Sequence, residues 1–547
     1  MGRYLIEAFD RSDRYASERY QGATGRDWWA IDPTLQLLMR HHLGDGYAWA
    51  EPYLRELGVV TGGVVAECAE ETDRNPPRLE KHDKWGRDIS QVIMPPSFHT
   101  ARAAMMEHNF LAPAFVQEAL DHGASPAALG AAWTYLLNQA DVGMGCALGT
   151  GGDMVVQLAE KHAPADVRDR VREIFANGFY SGEAAQMFTE RTGGSDLAAL
   201  ETTAEPDGES WRLDGFKWFA SNANGSAFVV LARLPSSEVK PFLVLWERRD
   251  GTRNGVRIRR LKDKLGTRSV ASAEVEFTGA EAFLLSGEGS GSGLGTMMKL
   301  TNASRLGVAM MGVGVARRAL VESVCYARAR EAFGKPLIAH PLMRRKLSEL
   351  IVEVEAAQAM VFDGLVNRLR LGPAVIKLRT ARLGVTAASD AIEVHGGNGY
   401  IEQWPVARLL RDAQVNPIWE GGDNILCLDV RRAMLKEQAH LPFLDRLRRA
   451  ATSPLVQERI EDLAKAVEAW HGAPDEARLY PLAQFMADVY AAALLEEQAT
   501  WGLDDERKTL VARLYAEARL ADRGPLRGLD APAPDHLDAL LAGAVIG

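Results

Sequence analysis

The period of the apolar residues changes twice along this 547-residue chain, and the double switch limits its architecture more than any single motif does. From about residue 27 to 180 the apolar positions recur at helical spacing, interrupted at Asn75-Pro76-Pro77, Met94-Pro95-Pro96 and the HGASP stretch at 122–126. Around residue 182 the texture becomes β-rich, with runs such as AFVVLARL (227–234), PFLVLWER (241–248) and the alternating SAEVEFTG (272–279). Asp214-Gly215 and Asn254-Gly255 read as tight hairpin turns between such strands. A glycine-rich link, SGEGSGSGLGT (286–296), then leads back into helices. There Leu347, Leu350, Ile351, Val354, Val361, Leu365 and Leu369 share one broad helical face, which Gly372-Pro373 ends.

The expected fold class is therefore α+β. It comprises a helical N-terminal domain (1–181), a central antiparallel β domain (182–287), a C-terminal helical bundle (288–439) and a further helical extension (440–547). No fixed-period repeat interrupts this plan.

Composition removes several function classes. Lys and Arg total 63 against 73 Asp and Glu, a net charge of −10, so the chain is no general polyanion binder. Cys68, Cys146, Cys325 and Cys427 lie far apart and form no zinc-ligand spacing, which suits reduced thiols inside a cell and leaves no metal site expected. The stretch MGRYLIEAFDRSDRY lacks a long apolar core, no segment has the uninterrupted length of a membrane span, and a cytoplasmic location is expected. GxxxxGK[ST] is absent, and Gly312-Val313-Gly314 has Arg317 where a dinucleotide fingerprint needs glycine.

Five stretches carry candidate chemistry. In MFTERTGGSD (187–196) a strand breaks at Thr189 into a Gly-Gly-Ser turn, exposing N–H groups and hydroxyls to a polar heterocycle, or simply leaving the strand. FKWFAS (216–221) offers Trp218 and Phe219, one aromatic for the core and one to wall a flat ligand. REAFGKP (330–336) reads as a helix end capped by Gly334, and EVHGGNGY as a turn whose glycines permit a close backbone approach. Glu420, in NPIWEGGDN, either favours the positive end of the next helix or acts as a general base, its pKa raised beside Trp419.

Taken in order, MFTERTGGSD, GFKWFASN, TNASRLGVAMMGVGVARRAL, REAFGKPL, EVHGGNGYIEQWPVARLLRDA and IWEGGDN resemble the acyl-CoA dehydrogenase flavoprotein family across roughly residues 180–430. RLKDKLGTRSVASAEVEF, IWEGGDNILCLDVRRAM and the C-terminal extension resemble its AidB-like branch. The resemblance implies FAD held non-covalently between subunits of a homo-oligomer, expected to be a tetramer. It assigns Phe188, Thr189, Gly194, Ser195, Phe219 and Ser221 to the isoalloxazine. Arg330 and Phe333 of a neighbouring subunit fall to the adenosine-diphosphate part, and Gly396 and Gly397 to the pyrophosphate.

Glu420 falls on the family's catalytic base, with Arg305 and Trp419 beside the substrate. The implied reaction is α,β-dehydrogenation of an acyl-CoA thioester to the trans-2-enoyl-CoA, with an electron-transfer flavoprotein as acceptor. An oxidase using O2 is an alternative of the same fold. A second alternative, an AidB-like DNA-binding flavoprotein, finds little support in composition. Residues 440–547 hold 12 Lys and Arg against 18 Asp and Glu, and RLRR (446–449) is their only tight basic cluster. The chain departs from common family patterns at Trp419, bulkier than the usual Tyr, at Gly422, where many relatives have Thr, and at Glu393, where many have Gln.

Overall fold

Short polar residues set where the first helices begin. Asp32 caps α1 (Pro33–Leu43) by accepting from the Leu35 N–H at 2.9 Å, with Pro33 in the first turn, where its missing N–H costs nothing. A computed structural model describes residues 20, 22–286, 292–527, 529 and 534–545, with only the helical backbone described along 292–300. The stretch read above for a leader and the 287–288 junction lie outside the described residues.

The N-terminal region continues with α2 (Tyr47–Val60), α3 (Ala66–Arg74), α4 (Pro96–Glu107), α5 (Pro113–Asp121), α6 (Pro126–Ala140), α7 (Val142–Gly149), α8 (Gly152–His162) and α9 (Ala165–Ile174). It also contains a hairpin absent from the helical reading, β1 (Arg78–His82) with β2 (Asp88–Ile93). The hairpin is fastened to the β domain: Ser90 Oγ accepts from the Ile258 N–H at 2.9 Å, and Lys81 Nζ donates to the Ile258 carbonyl at 2.7 Å.

The sheet comprises β3 (Ala184–Met187), β4 (Thr203–Asp207), β5 (Ser210–Ser221), β6 (Ala227–Arg233), β7 (Val239–Leu245), β8 (Val256–Leu261) and β9 (Ser272–Leu284). Pairings β6–β7, β7–β9, β9–β5 and β5–β4 are antiparallel, and β4 returns to β6 through Thr203 and Arg233, which closes the sheet on itself. β3 joins β6 in parallel, so the domain is mainly, not wholly, antiparallel. Asp214-Gly215 is not a turn: it lies inside β5, where the register against β9 shifts between Leu213 and Gly215. The hairpin turn sits earlier, at Gly208 with φ 62°, between the paired Asp207 and Ser210.

The helical bundle is built on α10 (Ser292–Ala329), α11 (Pro341–Asn367), α12 (Gly372–His395), α13 (Pro405–Ala413) and α14 (Asp423–Glu437). Residues 292–296 of the glycine-rich link are thus the first turns of a long helix rather than a connector. α10 and α12 cross where a Cβ on Gly312 would stand 2.4 Å from the Thr380 carbonyl oxygen, so glycine there allows backbone contact.

The extension comprises α15 (His440–Ala450), α16 (Pro454–Gly472), α17 (Leu479–Gln498), α18 (Asp505–Arg519) and α19 (Leu537–Ala544). Buried ionic contacts join it to α11: Glu355 accepts from Arg507 and, at 2.7 Å, from Lys508, and Asp363 accepts from Arg446 at 2.7 Å. RLRR is thereby largely neutralised, since Arg446 also meets Glu497 and Arg448 meets Glu461.

Candidate active site

The loop before α14 places Glu420 in the left-handed region, φ 55°, followed by Gly421 at φ 98°. For a glutamate that conformation costs on the order of 1 kcal/mol and needs support from its surroundings. Two buried cations supply it: Arg305 Nε donates to the Glu420 carbonyl at 3.2 Å, and Lys377 Nζ donates to the Gly421 carbonyl. Arg305 is itself held by Asp429 at 2.7 Å and Asn302 at 3.0 Å. The first-turn acid of α14 is Asp423, paired with Arg382, so Glu420 is not needed for the helix dipole.

The Glu420 side chain lines a cavity of about 90 Å³ together with Cys146, Asp153, Tyr180, Gly307 and Trp419, among others. Burial raises its carboxyl above the ordinary glutamate range, against the opposing pull of Arg305 and Lys377; Asp153 adds to the rise. Burial also lowers the Lys377 ammonium to about 8. The Cys146 thiol is raised by burial to about 12, which leaves it protonated and unreactive.

A second cluster forms at the sheet edge. Thr189 bridges to Phe219, and its carbonyl accepts from the Trp218 N–H at 2.8 Å. A Cβ on Gly194 would stand 2.5 Å from Thr189 Oγ1, so only glycine lets the turn close over that hydroxyl. Phe188 packs partly buried against the domain core, and Ser195 is exposed on the turn. Neither Trp218 nor Phe219 is core: Trp218 is half-buried and Phe219 is 47% exposed, whereas Lys217 beside them is fully buried. Lys217 pairs with Glu190 at 2.6 Å, and Glu190 also accepts from the Glu201 and Thr202 N–H groups, fixing the loop from beneath. Ser221 Oγ lies 3.2 Å from Ser272 Oγ, which in turn accepts from Lys264 Nζ at 3.2 Å.

The two clusters are tied together by α7. Its cap Asp141 accepts from Ser269 Oγ at 2.6 Å in the loop before β9, while its Cys146 lines the Glu420 cavity. A polar cavity of about 260 Å³ borders Ala147 and Leu148 of α7 with Glu183, Asn222 and Asn224. Asn224 Oδ1 there, and Trp419 Nε1 at the Glu420 cavity, are buried with no hydrogen-bond partner among the described residues.

Arg330, Phe333, Gly396 and Gly397 are all exposed on the surface. Phe333 is 95% exposed, and with Gly334 it makes the turn of a small hairpin, Glu331–Ala332 with Lys335–Pro336, at φ 53° and 78°. Gly334 is therefore a hairpin residue rather than a helix cap: the helix ends at Ala329, before the motif. Tyr326 stacks on His395 at 4.2 Å and accepts from Asn398 Nδ2, which joins the last turns of α10, just before this hairpin, to the Gly396-Gly397 loop. Glu393 is paired with Lys346 at 2.8 Å, so its charge is compensated.

The fold and these clusters have counterparts in known proteins. Residues 291–435 match the acyl-CoA dehydrogenase C-terminal domain, 185–280 its middle domain and 20–174 the adaptive response protein AidB N-terminal domain. The chain is 33% identical over 420 residues to the putative acyl-CoA dehydrogenase AidB of Escherichia coli, covering 72% of this chain and 76% of that protein. This chain belongs to the acyl-CoA dehydrogenase family, in its AidB-like branch. Among solved structures of the family, Caenorhabditis elegans ACDH-11 in complex with C11-CoA superposes with a TM-score of 0.84 at 25% identity, covering 93% of this chain and 95% of that one. The Bacillus anthracis acyl-CoA dehydrogenase complexed with FAD shares the fold at 16% identity, with a TM-score of 0.69 and coverage of 93% and 97%. Members of the family bind FAD.

Sequence reasoning missed Lys377, Lys217 and Asp153. A signal existed for the first: in AVIKL a lysine stands among residues of a buried helix face, where an unpaired charge is not tolerated.

Proposed function

We propose that this chain is an FAD-dependent acyl-CoA dehydrogenase in which Glu420 removes the α-proton of the thioester. The supporting observation is a carboxyl group of raised proton affinity in the lining of a half-open cavity, on a backbone held by two cations. A carboxylate of raised proton affinity takes a carbon-bound proton more readily than an ordinary one. The N–H of Glu420 is a candidate donor to the thioester oxygen as enolate-like charge develops there. Bound FAD supplies the acceptor for the hydride that leaves the β-carbon, so proton and hydride together convert acyl-CoA to trans-2-enoyl-CoA.

The residues present fit that cofactor. Thr189, Ser195 and the N–H groups near Gly194 offer neutral donors, Phe188 and Phe219 apolar surface for a ring, and Ser221 a hydroxyl held from behind by Ser272. The unpartnered Asn224 Oδ1 nearby is an acceptor awaiting a donor. Phe333 and Arg330, exposed on their own protomer, suit contact with a cofactor in a neighbouring subunit, so assembly into a homotetramer would complete the site. Reoxidation by an electron-transfer flavoprotein rather than O2 belongs to the same reading.

Anaerobic mixing of the holoenzyme with straight-chain acyl-CoAs should bleach the flavin absorbance. Glu420→Gln should bind the same thioesters without bleaching, and bleaching at an unchanged rate in that variant would refute the assignment. Peroxide production in air at the turnover rate would show oxidase chemistry instead.

A further inference from the structure

The Glu420 cavity contains a second carboxyl group that the proposed chemistry leaves idle. Asp153 stands in the first turn of α8 and lines the cavity beside Tyr180 and Thr150. Its Oδ1 accepts from the Met154 N–H at 2.8 Å, and among the described residues no cation pairs with it. The nearby cations are engaged elsewhere, Arg305 with Asp429 and the Glu420 carbonyl and Lys377 with the Gly421 carbonyl. Desolvation raises the Asp153 carboxyl above its ordinary range, against the opposing pull of the Met154 N–H and its own N–H.

An alkyl group filling this cavity would press apolar surface against that carboxyl and leave its remaining hydrogen-bonding capacity unmet. A hydroxyl group satisfies it in either protonation state, because a hydroxyl both donates and accepts. Resting on the acyl-CoA reading, we infer that Asp153 selects acyl groups carrying a hydroxyl beyond the β-carbon over plain alkyl chains of the same length. The limited cavity, about 90 Å³, directs the search to short acyl groups.

The test compares butyryl-CoA with 4-hydroxybutyryl-CoA, and hexanoyl-CoA with 6-hydroxyhexanoyl-CoA, in wild type, Asp153→Ala and Asp153→Asn holoenzyme. Anaerobic flavin reduction gives a second-order rate for each. Binding of the matching non-oxidisable thioether analogues is read from tryptophan fluorescence or flavin spectral shifts. At one of the two lengths the wild type should favour the hydroxylated member at least about tenfold. Asp153→Ala should reverse the preference, and Asp153→Asn should keep part of it. Preference for the plain chain at both lengths, or a ratio unmoved by Asp153→Ala, overturns the inference. Should no thioester reduce the flavin, the dehydrogenase reading fails, and the thioether affinities still decide the role of Asp153.

Discussion

Arg305 and Lys377 grip consecutive carbonyl groups, those of Glu420 and Gly421, and between them hold Glu420 in a backbone conformation a glutamate rarely adopts. Lys377, lowered to about 8 by burial, loses its proton within the accessible range. Flavin reduction by an acyl-CoA should therefore rise with pH as Glu420 ionises and fall again as pH passes about 8. Lys377→Met should lower the rate roughly 10- to 100-fold, move the rising limb upward because a cation near Glu420 is gone, and erase the falling limb. Stopped-flow reduction between pH 6 and 10 measures all three effects.

Glu420 is suited to proton abstraction at a cost in stability. Its folded pKa is raised, so ionisation is disfavoured in the folded protein. The contribution is absent at pH values well below that of an ordinary glutamate and reaches its full cost above the folded pKa. Glu420→Gln should then reduce turnover by about 10²- to 10⁴-fold yet raise the thermal midpoint of the cofactor-free protein at pH 8. That gain should shrink as pH falls toward 5. Thermal unfolding across that range tests the sign, and a variant less stable than wild type at pH 8 would contradict it.

Periodicity revealed the helix, sheet and helix plan because it follows local burial, which each segment records in its own residues. The loop before α14 was legible too, since two consecutive glycines ahead of a helical run mark a turn, and the structure places Glu420 on that turn. Asp214-Gly215 misled because the same dipeptide serves a turn or a bulge, and the choice depends on β9, some sixty residues away. Lys217, Lys377 and Asp153 escaped notice for a related reason. A charged residue in a strand or helix reads as solvent-facing until tertiary contacts give it a buried partner, as Glu190 does for Lys217, or leave it facing a cavity, as with Asp153.

The Glu190–Lys217 pair bears on stability and, on the proposed function, on cofactor binding. Lys217 is 0% exposed and Glu190 3%, so truncating either strands a charge in the interior. Glu190→Ala or Lys217→Met should each cost about 3–5 kcal/mol, while the double variant Glu190→Gln/Lys217→Met should recover part of it. Denaturant unfolding of the three variants checks the coupling. FAD affinity should weaken in each single variant, because the loop bearing Thr189 and Ser195 rests on Glu190.

Gly307 faces the cavity from α10, and a Cβ built there meets nothing within 4 Å. Gly307→Ala should stabilise the helix by about 0.5–1 kcal/mol. Gly307→Val should fill acyl space, raising KM for hexanoyl-CoA and longer thioesters at least about tenfold while affecting butyryl-CoA much less. Steady-state kinetics over a chain-length series distinguishes this from a general loss of folding, which would lower all rates together.

Phe333 supplies the sharpest separation of folding from assembly. With 95% of its surface exposed on a two-residue turn, it contributes little to its own protomer, and Phe333→Ala should change stability of the isolated chain by no more than about 0.5 kcal/mol. If its ring packs on a cofactor in the neighbouring subunit, the same change should weaken FAD retention about tenfold or more. Arg330→Ala should act in the same direction, and less so at high salt. Measuring flavin content and oligomeric mass after gel filtration at falling protein concentration resolves the point. Unaltered FAD retention in Phe333→Ala would remove this hairpin from the cofactor site while leaving the assignment of Glu420 intact.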